Sequence, residues 1–212
     1  MSALPESARP RVRMSGPERR EQLIAVARSV FAERGYAGAS VEEIAERANV
    51  SKPVLYEHFG GKDGLFQTII GREIGQLTER ITSALDAPSP RQALEGAAEA
   101  FLGYIEEERE GFRILVRDAP VGGSARSMSG VIADIAARVE GLLAKELGER
   151  GYDRKLAPVM ARALVGMVAM TGEWWLDEGS PSRKVVAAHL VNLAWNGLKD
   201  LDKDPTRNAK RT

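Results

Sequence analysis

Side chains able to do chemistry crowd into one short stretch, Val50-Ser51-Lys52-Pro53-Val54-Leu55-Tyr56-Glu57-His58-Phe59-Gly60-Gly61-Lys62. Lys52, Tyr56 and His58 set hydrogen-bond donors around a single apolar anchor, Leu55. Ser40 and Ser51 add hydroxyls, and the helix start behind Lys62 adds backbone N–H groups; donors of these kinds suit phosphate oxygens. Gly60-Gly61-Lys62-Asp63 has the look of a nucleotide phosphate loop, but position 56 is Tyr where that motif needs Gly, and Asp63 stands where it needs Ser or Thr. Catalytic raw material is scarce elsewhere. Two histidines, His58 and His189, are too few for a histidine metal site or a triad. The carboxylate pairs Glu42-Glu43 and Glu106-Glu107 are adjacent, on different azimuths of a helix, and read as solvated faces. The absence of cysteine excludes disulfides, thiolate zinc sites, iron–sulfur clusters and cysteine nucleophiles. No enzyme, metal or cofactor is expected.

The elements that must position these donors are helices. Ser15 with Glu18, and Pro17 between them, forms a capping box that opens a helix with Leu23, Ala27, Val30 and Phe31 on its apolar face, stopped at Gly35. Ser40 with Glu43 opens a second, short helix with Val41, Ile44, Ala45 and Ala48 inward, closed near Asn49. Ser51 caps a third that runs to Phe59 and breaks at Gly60-Gly61. Two short helices joined by Ala48-Asn49-Val50-Ser51 have the spacing of a helix-turn-helix, whose second member lies in the major groove of DNA. From Lys62 a longer helix runs to a break near Pro88, and Ser89-Pro90 with Gln92 restarts the pattern. A short apolar piece, Phe112 to Val116, precedes a Gly- and Ser-rich loop from Ala119 to Gly130. Helices over about 131–147 and 155–177 follow, and a last one starts at Gly179-Ser180-Pro181 and ends near Lys199. No period-2 run competes, so the fold is predicted all-α with about nine helices, in 212 residues that suffice for a sizeable core. Residues 1–14 read as a flexible basic arm, 15–61 as the helix-turn-helix domain, 62–200 as a helical bundle and 201–212 as a polar tail.

Lys plus Arg and Asp plus Glu both number 30, so any polyanion site must be a local patch. The least polar stretch, Leu156 to Leu176, carries Arg162 and Glu173 and reads as a buried helix in place of a membrane span. Arg9, Arg11 and Arg13 have no apolar run behind them, so no secretory signal is expected, and the lack of cysteine fits a cytoplasmic protein.

Residues 19 to 66 resemble the DNA-binding domain of the TetR transcriptional regulators. The likeness rests on Phe31-x-x-x-Gly35-Tyr36, on Ser40-Val41-x-x-Ile44-Ala45 and on Val50-Ser51-Lys52-x-x-Leu55-Tyr56-x-His58-Phe59-x-x-Lys62-x-x-Leu65. The resemblance implies a dimer that binds a palindromic operator, usually represses, and is released when a small molecule enters the C-terminal helices. Carried over by position, it implies phosphate contacts for Ser40, Ser51, Tyr56, His58 and Lys62, and base-edge positions for Lys52, Pro53 and Val54. Lys52 can donate to guanine O6 and N7, and Val54 offers only apolar contact, for example to a thymine methyl. Glu57 departs from the aromatic or basic residue more common there: facing DNA it repels phosphate or accepts from a cytosine amine, facing away it solvates. Arg9, Arg11, Arg13, Arg19 and Arg20 either add minor-groove contacts or form a solvated tail. Taken alone, His58 reads as a helix-end surface histidine and Tyr56 as a half-buried core residue.

Beyond Leu65 the chain resembles the family only in helix number and length. The resemblance implies that the last two helices form a four-helix bundle with their symmetry mates. Gly166, Ala169 and Gly172 would permit close approach there, with Leu190, Leu193, Ala194 and Leu198 as a helical stripe and Trp195 beside it; intramolecular core is the competing reading for each. An apolar or amphipathic ligand would lie between the helices from Arg91 to Leu176. Phe101, Tyr104, Phe112, Met160, Met167, Met170 and Trp174 are the candidate lining, again against plain packing. Arg113, Arg162 and Glu173 either orient a polar ligand group or pair at the surface. Two alternatives stay open: a helical small-molecule-binding module without DNA activity, and an activator of the same fold.

Overall fold

Helix starts follow the caps written in the sequence. In the computed structural model, which describes residues 14–118, 128–199 and Leu201, Ser15 Oγ accepts from the Glu18 N–H while the Glu18 carboxylate accepts from the Ser15 N–H at 2.8 Å, and α1 (Gly16–Gly38) begins there. Its helical geometry breaks at Gly35 (φ 72°). Ser40 Oγ accepts from the Glu43 N–H at 3.1 Å and opens α2 (Val41–Arg47). After a tight turn comes α3 (Lys52–Phe59), which starts at Ser51 without a side-chain cap and ends on Gly60 at φ 72°, a left-handed conformation that glycine adopts without a Cβ penalty. The chain continues through α4 (Lys62–Leu85), α5 (Pro90–Glu107, capped by Ser89), α6 (Arg109–Asp118) and α7 (Met128–Glu149). A single 3-10 turn (Arg154–Leu156) leads into α8 (Ala157–Glu178), and α9 (Arg183–Lys199) follows.

The described residues thus hold nine α-helices and no strand, as the all-α reading requires. Three details differ from the sequence pattern. The apolar piece at Phe112 to Val116 is the middle of the ten-residue α6. Residues 128–130 of the supposed Gly- and Ser-rich loop already belong to α7, while 119–127 lie outside the described residues. The last helix begins at Arg183, beyond the Gly-Ser-Pro signal.

In the head, Leu23, Ala27 and Phe31 of α1 meet Ile44 of α2, Leu55 of α3 and Leu65 and Phe66 of α4, all close to fully buried. The Phe66 ring packs edge-on to Phe31 at 5.0 Å and lies 4.7 Å from Tyr36. Gln22 Nε2 donates to the Ala48 carbonyl at 3.2 Å, tying α1 to the turn between α2 and α3. The same apolar core continues down α4 through Ile69, Ile74 and Leu77 and on to Phe101 and Leu102 of α5, Ile114 of α6 and Leu190 of α9. One rod, α4, therefore anchors the head at its first turns and the bundle at its last.

The expectation of a buried helix over 156–176 needs correction. Arg154–Glu178 is long and apolar enough to cross a membrane, yet only 17% of its most apolar window is buried. One face, with Ala161, Gly172, Trp175 and Leu176, packs inward, while Val159, Met170 and Trp174 are 68%, 66% and 52% exposed. The segment is apolar all round, and the described residues cover one of its two apolar faces.

Candidate nucleic-acid interface and regulatory cavity

The exposed side of α3 carries Ser51, Lys52, Pro53, Tyr56 and Glu57, with Leu55 turned into the core. The Ser51 hydroxyl makes no cap hydrogen bond. Ser40 is half-buried with its oxygen already accepting from Glu43, which leaves its proton to donate outward. Tyr56 is 53% exposed and its ring lies against Gly61. His58 is half-buried beside Phe59, and Val54 turns partly onto the core, which narrows the apolar contact it offers a base. Lys62 is less free than a phosphate-contacting lysine needs to be: its ammonium donates to the Tyr36 and Ala39 carbonyls at 3.0 and 3.1 Å and sits 4.4 Å from the Tyr36 ring centre. Two of its three donors hold the end of α1, and the third is the one left for an anion. Lys52 is ion-paired to Glu42 at the start of α2.

Of the basic arm, Arg9, Arg11 and Arg13 lie outside the described residues. Arg19 donates to Gln22 at 2.6 Å, and Arg20 stacks over the Phe59 ring at 5.0 Å, on the head itself.

Where head and bundle meet, a buried charge cluster had no signal in the sequence. Glu73 of α4, 4% exposed, is the one buried charged residue among those described. Arg28 of α1 donates from Nε to Glu73 at 2.7 Å and from Nη2 to Glu108, after α5, at 2.6 Å. The Tyr104 hydroxyl of α5 donates to the other Glu73 oxygen at 2.5 Å. Gly111 of α6 completes the site, since a Cβ there would overlap the Glu73 carboxylate. Burial first, then the Glu73 charge and hydrogen bond, push the Tyr104 phenol up, so it stays a donor. Burial lowers the Arg28 pKa, but its bonds to Glu73 and Glu108 outweigh this and leave it raised. Arg28 sits one helical turn from Phe31 in sequence, so side chains of α1 that bind the core also bind this joint.

Below the joint, α4, α5, α7, α8 and α9 enclose a cavity of about 410 Å³. Leu77, Ile81 and Leu85 of α4 and Phe101 of α5 line one side, and Ile135, Val165, Val168 and Trp195 face them. Among the described residues, charged groups enter only at and just past the end of α7, at Lys145, Glu146, Glu149 and Arg150. Of the predicted lining, Phe101 is in place. Tyr104 and Phe112 belong to the core instead, packed ring to ring at 6.3 Å, with Tyr104 committed to Glu73. Met160 and Met167 are half-buried outside the lining, and Met170 and Trp174 point out to solvent. None of Arg113, Arg162 and Glu173 lines it: Arg113 pairs with Asp177 at 3.6 Å, Arg162 with Glu140 at 3.7 Å, and Glu173 is exposed.

The predicted interface residues divide likewise. Leu193 is 64% exposed, and Gly166 faces open space. Ala169 and Trp195 line the cavity, with Leu198, while Leu190 and Ala194 are buried within the chain. Gly172 does permit close approach, but to Phe101 of the same chain. The missed signal was azimuth: Val159, Ala163, Gly166, Met170 and Trp174 step by three or four residues along one line of α8, away from the line through Ala161, Val165, Val168 and Gly172.

A donor-bearing helix-turn-helix carried on the same rod that walls an apolar cavity defines an all-helical DNA-binding transcriptional regulator. Residues 23–69 match the family described as bacterial regulatory proteins, tetR family, and residues 90–197 match the tetracycline repressor-like C-terminal domain. The chain belongs to the TetR family. It is 33% identical over 197 residues to the transcriptional activator FasR of Mycolicibacterium smegmatis, covering 88% of this chain and 85% of that one. Over 103 residues, 47% of this chain and 49% of the other, it is 35% identical to the transcriptional repressor BepR of Brucella suis. A TetR-like regulator from Rhodococcus sp. RHA1 superposes with a TM-score of 0.69 at 30% identity, over 89% of this chain and all of that one.

Proposed function

We propose that the chain acts in the cytoplasm as a homodimeric repressor whose hold on a palindromic operator is loosened by an apolar or amphipathic small molecule in the cavity. The observation that carries this reading is the course of α4. Its first turns supply Leu65 and Phe66 to the head, and its last supply Leu77, Ile81 and Leu85 to the cavity wall. An occupant that pushes on the wall tilts the rod, and the two α3 helices leave the spacing of successive major grooves, about 34 to 36 Å.

In the bound state Ser40, Ser51, Tyr56, His58 and the remaining donor of Lys62 contact phosphates, while Lys52, Pro53 and Val54 face base edges. Dimerisation uses the outer line of α8 with Leu193 of α9, a surface whose apolar exposure has no cover among the described residues. The largely apolar lining selects an apolar body, and the charged end of α7 selects any polar head.

The test begins with selection of an operator from randomised duplexes. Spin labels on the two α3 helices then report their separation with and without a compound that releases that operator. Release with unchanged separation defeats the mechanism. The variant Ala97→Phe, placed on the cavity wall, keeps operator binding and loses release. A second reading, activation, is favoured by likeness along most of the chain to a protein named as an activator. Transcription from promoters with the operator overlapping or upstream of the start separates the two signs.

A further inference from the structure

The reading face of the head holds an acid where DNA recognition would ordinarily ask for none. Glu42, in the first turn of α2, leans across the helix-turn-helix onto Lys52 at the start of α3, and their ion pair stays open to solvent, with side chains 62% and 53% exposed. Its neighbour Glu43 turns the other way, to Arg47 at 2.7 Å and Arg34 at 3.6 Å. The Lys52 hydrogen bond, a bond to its own backbone N–H and the Lys52 charge hold the Glu42 carboxyl below the usual carboxylate range, so it is an acceptor at neutral pH. An exposed ion pair of this kind contributes little to stability. Its stabilising value does not account for a carboxylate held beside the one lysine on the reading helix.

The chemistry of a base pair does account for it. On the major-groove edge of G·C, the guanine O6 acceptor lies beside the cytosine N4 donor; lysine donates to the first and a carboxylate accepts from the second. Lys52 and Glu42 in contact present a donor beside an acceptor, the complement of that edge. We propose that Glu42 is a specificity-determining residue that acts with Lys52 as one couplet reading a G·C pair in each half-site. The two side chains part to admit the base edges, and each exchanges its partner for a base atom; C·G and A·T reverse donor and acceptor and leave both unsatisfied, while T·A, which keeps their order through O4 and N6, has a methyl where Lys52 also reaches guanine N7. The couplet rests on the reading that α3 enters the major groove.

The experiment is selection from randomised duplexes with the full chain, as wild type, Glu42→Ala, Lys52→Ala and the double variant, followed by titration of the selected site and of single-base changes. Far-UV melting curves establish that the surface substitutions leave the fold intact. Wild type is expected to require G·C at one place per half-site. With Glu42→Ala, discrimination at that place alone falls at least fivefold, about the low end for a paired base contact, and the double variant loses less than the sum of the singles. Glu42→Ala selecting the same sequence with undiminished discrimination overturns the proposal; if it also binds all duplexes more tightly, Glu42 only repels phosphate. A wild type that enriches no sequence overturns the DNA-reading assignment itself, and the couplet with it.

Discussion

The head and the bundle solve different problems, and the chain writes them in different scripts. Within residues 15–62, the proposed function is a set of donors that must stand at fixed places, and Ser40, Ser51, Tyr56 and Lys62 are of the few residue types that suit that work. Beyond Leu65, function is apolar space and apolar surface. A leucine serves core, cavity and interface equally, so type alone does not reveal its place. Trp174 and Trp195 make the contrast concrete. Trp174, expected in the cavity, faces solvent, and Trp195, expected at the interface, lines the cavity.

The sharpest way to separate the two regions is to damage one. Phe66 is almost fully buried and holds Phe31 and Tyr36 by ring contacts. Phe66→Ala is expected to cost about 4 kcal/mol, the middle of the range for a buried ring. In hydrogen exchange, α1 to α3 should lose protection first while α7 to α9 keep theirs. Equal loss in both would mean that the core shared along α4 makes head and bundle a single cooperative unit.

The second effect concerns the joint. Arg28→Ala strands the Glu73 carboxylate among buried groups and is expected to cost about 3 kcal/mol in urea unfolding. Tyr104→Phe, which removes one donor while Arg28 remains, costs about 1 kcal/mol. If Arg28 acts as the hinge pin between regions, its loss also broadens the distribution of head separations, which Tyr104→Phe leaves narrow. A loss under about 1 kcal/mol for Arg28→Ala would show that water reaches Glu73 and that the joint is softer than its geometry.

How far the chain could be read follows from these same residues. Caps and breaks are local, so Ser15, Ser40, Ser89 and Gly60 marked helix ends to within a residue or two, and the all-α fold with its helix-turn-helix was legible throughout. The joint was not. Arg28, Glu73, Tyr104 and Glu108 are 80 residues apart at the extremes, and each alone looks like a helix-surface group until packing brings them together. The reach of Lys62 to the α1 carbonyls was hidden for the same reason, although its position in the family pattern was clear. In α8 the period was read correctly and the azimuth was not, because two apolar faces share one helix.

That second face gives the next prediction. Met170→Glu or Trp174→Glu puts a charge on the open line of α8, and each is expected to weaken self-association at least tenfold in sedimentation, about 1.4 kcal/mol or more. Trp195→Ala, one helix away on the cavity wall, should instead leave association near wild type. The reverse result would return Trp195 to the interface and Trp174 to the regulatory machinery.

The smallest effects divide the head itself. Ser40 and Ser51 stand at equivalent places, each before a short helix, and both were expected to cap. Only Ser40 does so, through its 3.1 Å bond from Glu43, while Ser51 makes none. Ser40→Ala should therefore lower stability by about 1 kcal/mol, with loss of operator affinity following from a looser α2. Ser51→Ala should lie within about 0.5 kcal/mol of wild type, yet weaken binding to every duplex sequence alike and leave the salt dependence unchanged, because a neutral hydroxyl releases no counterion from a phosphate. A serine that left the cap bond unmade and also proved silent in DNA binding would remove Ser51 from the interface, and phosphate contact in the turn would then rest on Ser40 and the backbone.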